Sequence, residues 1–543
     1  MKSTRLLLVG TLALSLPASA QDRPAEDAMF GTPELETPPP TSPPPTKTHK
    51  AGPRKAEPAA PAPIEKPATD TGDARDSLNL GDPSAATRFS AEVAPEDPLK
   101  IGGQWYWRAA SSARQDQSMK DWTLSAPSLL DMYLDARPNE RVRAFAKGRM
   151  QYDPTLPPNG STQSVSLAST SGASQGLDSL AQGKGTRGPS MYLDQLWLSF
   201  DVKHTAFVTA GKQHVRWGTG QIWAPTDFLH AQARNPLSPF DARTGTTMLK
   251  VHFPWEAQGW NFYAYALPEN TDATGKVSQV AGAGRAEIVL GSMETGLGIL
   301  ARRGSKAKFA ADVSFGVWDL DFHGEIAVRH SGDVDMVHYT DQPVFTPSCP
   351  TTTDAWSTYI PALVSAYFPK DESKTAAWKA QALGGVSYTR QYADKDTFTV
   401  GIEYFYNGLG YDTPKDYLGL LLPRADALRN PAQFFYFGRQ YVGAFALIPA
   451  PYSWDNTSFT VSSLANLSDW SGMTRLDYSL TLLTHLRFEA YVGIHYGQRN
   501  GEFRMGFDTS SVLGASCIPP GSGTSTSIGP SLLDLGVGLR VAL

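Results

Sequence analysis

The sequence predicts an all-β chain: a transmembrane antiparallel β-barrel of about 18 strands, within roughly 16–18, with short periplasmic turns and long extracellular loops. Three observations predict it. From Lys100 to the C-terminus, segments of strand length alternate apolar and polar residues with period two. Their connections alternate between brief turns and long Gly/Ser-rich or Pro-rich stretches, the rhythm of a barrel whose two rims face different compartments. No stretch approaches the roughly 20 apolar residues that a membrane helix needs, so a chain that crosses a bilayer must do so as strands.

Composition agrees. Of 543 residues, 41% are hydrophobic and 11% aromatic, with 48 Gly and 13 Trp, a bias toward short strands and turns. The net charge of -5 offers no basic field for nucleic acid, which is excluded as a partner.

Residues 1–20 have the order of a secretory signal peptide: Lys2 and Arg5, the apolar core Leu6 to Leu16, then Ala18-Ser19-Ala20. Residues 21–98 carry the runs PPPTSPPPT and EPAAPAPIEKPA and lack the apolar content for a core, so they read as a disordered, Pro-rich periplasmic segment. It serves either as a spacer or as a tether to cell wall or a periplasmic partner. Residues 99–543 form the barrel.

In the first strand Ile101, Trp105, Trp107 and Ala109 suit lipid, whereas Gln104 and Arg108 suit water. A second strand, around Leu130 to Arg137, turns at Pro138-Asn139-Glu140. A third, Arg141 to Tyr152, sets Val142, Ala144, Ala146 and Met150 against Arg141, Arg143, Lys147 and Arg149. A face so cationic cannot enter a dry core without partners, but it can line a wet lumen. Farther on, Arg285 and Arg302 are further inward cations, with Glu287, Asp321, Glu325 and Glu403 as acidic neighbours. Two readings stand: a path for polar, including anionic, solutes, or cross-strand ion pairing that only stabilises the wall. The last strand alternates Leu533, Leu535, Val537, Leu539 and Val541 with Asp534, Gly536, Gly538 and Arg540. Ending in Leu543, it resembles the terminal strand that outer-membrane proteins present to their insertion machinery.

The stretch Gly211 to Gly245, the third long loop after the first strand, is dense in both aromatics and charges. A third loop of this kind folds inward and narrows a pore, or it is an ordered surface loop. Folded inward, Asp227, His230, Arg234, Asp241 and Arg243 face the lumen, while Trp217, Trp223, Phe228 and Phe240 anchor it. Lys250 and His252, on the strand that follows, are further candidate inward, pore-lining positions. Cys349 and Cys517 lie in Pro-flanked loop sequence; exported, they pair as a disulfide or stay two unpaired loop thiols.

The segment GKQHVRWG, with Glu403-Tyr404-Phe405-Tyr406-Asn407-Gly408, resembles the large outer-membrane porin-like families, including alginate-export-type barrels with basic lumens. That resemblance implies lumen-lining roles for Lys212, His214 and Arg216 on one strand face. It also implies an outer-membrane location amid lipid and the barrel-insertion machinery, and passive diffusion of small polar solutes without a cofactor. A receptor, adhesin or assembly barrel with a plugged lumen is the second reading. A barrel enzyme is the third, with no GxSxG or HExxH to support it.

Overall fold

Period-two alternation becomes a two-sided wall. The computed structural model describes residues 98–543 except 157–187, 204, 231, 239–242, 269–279, 344–355, 372–376, 393–395, 423, 427, 429–432, 484 and 509–526. The expected signal peptide, residues 21–97 of the Pro-rich segment, Phe240, Asp241, Cys349 and Cys517 lie outside the described residues. Among those described, eighteen antiparallel strands form one closed barrel, as expected. They are β1 (Leu99–Arg114), β2 (Ser128–Asn139), β3 (Val142–Tyr152), β4 (Ser190–Val202), β5 (Ala206–Gln213), β6 (Thr246–Trp255), β7 (Trp260–Leu267), β8 (Ala281–Leu290) and β9 (Met293–Ala301). The second half comprises β10 (Lys308–Val317), β11 (Leu320–His330), β12 (Trp378–Gln391), β13 (Thr397–Asn407), β14 (Gln440–Pro449), β15 (Thr457–Asn466), β16 (Ser471–Leu482), β17 (Leu486–Gly497) and β18 (Ser531–Ala542). Each pairs with its successor, and β18 pairs with β1 from Gln104↔Ala542 to Arg114↔Ser531, which leaves no open sheet edge.

Both ends of the barrel segment leave at one rim, where connections such as 140–141, 291–292 and 318–319 are brief. The opposite rim carries 153–189, 214–245, 331–377, 408–439 and 498–530, the stretches expected to be extracellular loops. Two connections at that rim, 302–307 and 467–470, are short, a departure from the rhythm read in the sequence. A helix, α1 (Trp356–Tyr367), lies within the sixth loop.

The outer face explains the environment. Leu196, Leu198 and Phe200 on β4, Leu297 and Ile299 on β9, Ile402 on β13, and Leu535 and Val537 on β18 are all exposed. A continuous apolar surface of this kind is at home in hydrocarbon and not in water. At the periplasmic rim Trp255 meets Trp260 and Tyr392 meets Tyr452, while Trp378, Trp470 and Tyr496 mark the other, the paired aromatic girdles of a membrane barrel. The protein is an outer-membrane barrel. Among the described residues no helix is long and apolar enough to cross a membrane.

Candidate functional site

The inner wall begins with β2 and β3. Asp131 and Asp135, four residues apart, share the inward face of β2 and are almost fully buried. Arg149 stands opposite Asp131 in register and forks onto it, Nε to Oδ1 at 2.7 Å and Nη2 to Oδ2 at 2.9 Å. Arg143 forks onto Asp135 in the same way, at 2.9 Å and 3.0 Å. On β4 a bulge follows: Lys147 pairs with Gln195 and Gly148 with Leu193, so the extra residue, Asp194, turns inward beside Gln195. Its carboxylate receives Lys147 at 3.2 Å, Arg149 at 3.5 Å and His214 Nε2 at 3.0 Å. Lys147 also reaches Asp131 at 3.3 Å. Charges so deeply buried are tolerated because each is forked, shared and hydrogen-bonded.

The expected cationic face is therefore present and interlocked with carboxylates. Sequence reading missed Asp131, Asp135 and Asp194. The signal for the first two was their i, i+4 spacing in the inward phase of β2; nothing local announced the bulge that turns Asp194.

A second charged arc runs from β16 through β18 to β1. The guanidinium carbons of Arg475 and Arg108 lie 4.0 Å and 4.4 Å from the Tyr491 ring centroid, and Arg108 also donates to the Tyr491 hydroxyl. Arg540 reaches Glu489 at 3.0 Å and lies over Tyr106. Lys250, on the inward face of β6, is half-buried opposite Thr209.

The third loop leaves β5 and makes contact with strands far round the barrel. Trp217 is buried against Tyr265 of β7, with Arg285 of β8 over its ring at 5.7 Å. Glu325 of β11, itself 1% exposed, accepts Gly220 N at 2.5 Å, Thr226 N at 3.2 Å and Thr226 Oγ1 at 2.7 Å. Glu403 of β13 accepts the backbone amides of Gln221, Ile222 and Trp223 at 2.5, 2.9 and 3.3 Å, and its other neighbour is His323 Nε2 at 2.8 Å. Trp223 is fully buried, stacked on Phe405. Gly443 of β14 leaves room for it, since a Cβ there would stand 2.5 Å from Ile222 Cδ1 and 3.0 Å from the Trp223 ring. Farther along, the Leu237 carbonyl accepts Arg475 Nη1 of β16 at 3.0 Å, and the Leu229 carbonyl accepts Thr246 Oγ1 of β6 at 3.0 Å. The loop thus touches the wall from β6 to β16.

The expected loop residues fall out as follows. Asp227 and Arg243 form an ion pair at 2.9 Å, both buried. His230 is buried with its ring 5.5 Å from that of His214. Arg234 donates to the Gln221 carbonyl at 3.4 Å, so loop charge largely binds loop.

Three expectations fail. Arg141 belongs to the periplasmic turn, not the strand face; its side chain is 65% exposed and 3.9 Å from Asp201. Lys212 is on the outward face: β5 buries Thr209 and Gln213, the odd positions, and Lys212 pairs with exposed Leu196. His214 and Arg216 share no strand face with it, because β5 ends at Gln213 and both belong to the loop, where Arg216 donates to the Gly220 carbonyl. Arg141, His214 and Arg216 fail because the cation spacing runs beyond the ladder, whereas Lys212 lies inside β5 and fails on phase, the inward positions there being the odd ones.

At the extracellular rim the seventh, eighth and ninth connections are pinned together. Asn466 Nδ2 donates to Asp469 Oδ2 at 2.9 Å and to Glu502 Oε2 at 3.0 Å, Tyr441 OH donates to Glu502 Oε2 at 2.6 Å, and Glu502 N donates to Asp469 Oδ2 at 2.8 Å. Burial and the neighbouring Asp469 push the Glu502 carboxyl up to about 8, and burial raises Asp469 as well.

Fold and lumen together define a large outer-membrane barrel of porin-like architecture with an elaborated interior. Among solved structures, OccAB1 of Acinetobacter baumannii is similar over 82% of this chain and 96% of its own, at 9% identity and a TM-score of 0.44. A mutant of the Rhodopseudomonas blastica porin aligns over 82% of this chain and 100% of its own, at 10% identity and 0.36. Wzi of Escherichia coli, described as a carbohydrate-binding β-barrel involved in group 1 capsule assembly, aligns over 82% and 84%, at 10% and 0.42. No family model and no curated protein matches the sequence. Likenesses this weak carry no inference about solute, so function must be read from this chain's own lumen.

Proposed function

We propose that the protein is a channel for passive diffusion of small polar solutes, with the third loop as its constriction. The observation that carries this reading is the anchoring of the loop backbone, through the amides of Gly220 to Trp223 and of Thr226, on Glu325 and Glu403 of the wall. A loop held this way occupies lumen cross-section, and the path runs past it on the side walled by Arg108 and Arg540 with Arg143, Lys147 and Arg149, whereas Arg475 bonds the loop itself through the Leu237 carbonyl. Charges fixed on that side orient polar solutes and disfavour apolar ones. Because most cations there carry a carboxylate partner, anions are favoured over cations only modestly.

The test is planar-bilayer conductance of the full-length protein. Deleting Phe228 to Phe240 should raise single-channel conductance, and Arg108→Glu with Arg540→Glu should shift selectivity toward cations. Unchanged conductance in a deletion variant that still folds, judged by heat-modifiability on a gel, would remove the constriction. Absence of any conductance in the native protein would favour the plugged receptor or assembly barrel instead.

A further inference from the structure

We propose that the described parts of the seventh, eighth and ninth connections form a proton-linked lid over the lumen, closed while the Asp469 and Glu502 carboxyls hold a proton and released when they lose it. The proposal rests on the channel reading above for its effect on transport.

The geometry is that of two buried acids sharing donors. Glu502 belongs to the ninth loop and Asp469 to the eighth, and each is 1% exposed. Every donor to them is neutral: Asn466 Nδ2, Tyr441 OH, the amides of Phe437, Glu502 and Ser471, and the Ser471 hydroxyl. Tyr417 of the seventh loop completes the set with its hydroxyl on Asp469. The remaining charged groups nearby are engaged elsewhere. His495 bridges the Phe503 carbonyl and Asp534, at 2.6 Å and 2.7 Å, Arg504 donates to Gln115 and the Gly497 carbonyl, and Arg439 pairs with Asp412. Among the described residues neither carboxyl has an ion pair with Lys, Arg or His. Two carboxylates that share one amide donor without a cation cannot both ionise cheaply, so the closed arrangement keeps a proton.

The cluster is wired to the constriction. Phe503, next to Glu502, packs on Phe435, and the Phe435 carbonyl accepts Trp223 Nε1 at 3.1 Å. Ile222, Trp223, Phe435 and Phe503 share one apolar cluster with the wall residues Phe405 and Tyr441. Separating the eighth and ninth loops therefore removes the roof under which Trp223 is held.

The sign follows from linkage. The closed state holds a proton between the ordinary carboxyl value of 4.5 and about 8, whereas an open, hydrated Glu502 gives it up. Closure is fully favoured below that window and lost as pH rises through 8.

The experiment uses full-length protein in planar bilayers from pH 6 to pH 10. In parallel, spin-label distances are measured between Lys415 and Arg499 in detergent micelles, with Cys349 and Cys517 replaced by Ser. Open-channel occupancy should rise several-fold with a midpoint near pH 8, the label distance should lengthen over the same range, and Glu502→Gln should flatten both. Asp469→Asn, which removes the neighbouring charge and keeps the shape, should move the midpoint below 8 and serves if the first variant does not fold. A conducting protein with no pH response, or the same response in Glu502→Gln, overturns the lid while leaving the channel standing. A distance change without conductance sustains the lid and overturns the channel.

Discussion

At the residue scale the lumen is organised by carboxylates rather than by the cations that stand out in the sequence. Asp131 serves both Arg149 and Lys147. Asp131→Asn removes that charge and leaves Lys147 and Arg149, both buried, to share Asp194, which should cost about 3–5 kcal/mol, measurable as a fall in the denaturant midpoint of the folded barrel. Glu403 plays a different part, because it neutralises no arginine and accepts three consecutive loop amides. Glu403→Ala orphans those amides, and a loss of roughly 2–4 kcal/mol with a more mobile third loop and higher conductance is expected. A conductance equal to the native value would mean that Glu325 alone holds the loop.

At the element scale the third loop depends on glycines that make space. Gly443 stands on β14 where Trp223 approaches, and Gly443→Leu has no room for its side chain unless Ile222 and Trp223 leave their seat. Gly218 has φ +97, in the region that side chains disfavour, and faces Glu325. Gly218→Ala should cost about 1–3 kcal/mol locally and weaken the Glu325 latch. Both should raise conductance without changing heat-modifiability of the barrel. A drop in barrel stability with unchanged conductance would assign them to folding rather than to the loop. The bulge on β4 belongs to this scale too, since it gives Asp194 and Gln195 the same face, which strict alternation forbids.

At the scale of the whole molecule, two surfaces with opposite solvents share one wall. Leu198 on the outward face of β4 is exposed to hydrocarbon, whereas Ser199 beside it turns inward and bonds Thr209 at 3.1 Å. Leu198→Arg should destabilise the barrel by about 2–4 kcal/mol if the site lies near the bilayer midplane. Cysteines at Arg143 and Lys147 should react with a membrane-impermeant thiol reagent through the lumen, and cysteines at Val142 and Ala144 should not. Reversed labelling would mean a one-residue slip in register, which would flip every side chain of β3.

The sequence by itself determined the class of fold, the approximate number of strands and the rim that carries the long loops. Period-two patterning is local, and a strand with one wet and one oily face has only one phase that satisfies both. It also located the third loop, because aromatics and prolines concentrated in one connection need a surface to bury against. Only the tertiary structure decided which charges meet. Asp194 meets Arg149 only through a bulge, Glu403 lies 180 residues from the Trp223 amide it holds, and Glu502 finds Asp469 across two loops. Lys212, His214 and Arg216 show the same limit from the other side. Their spacing is a strand's, but the inward phase of β5 falls on the odd positions and leaves Lys212 outside, and the ladder ends at Gln213, before His214 and Arg216; both are set by the neighbouring strands.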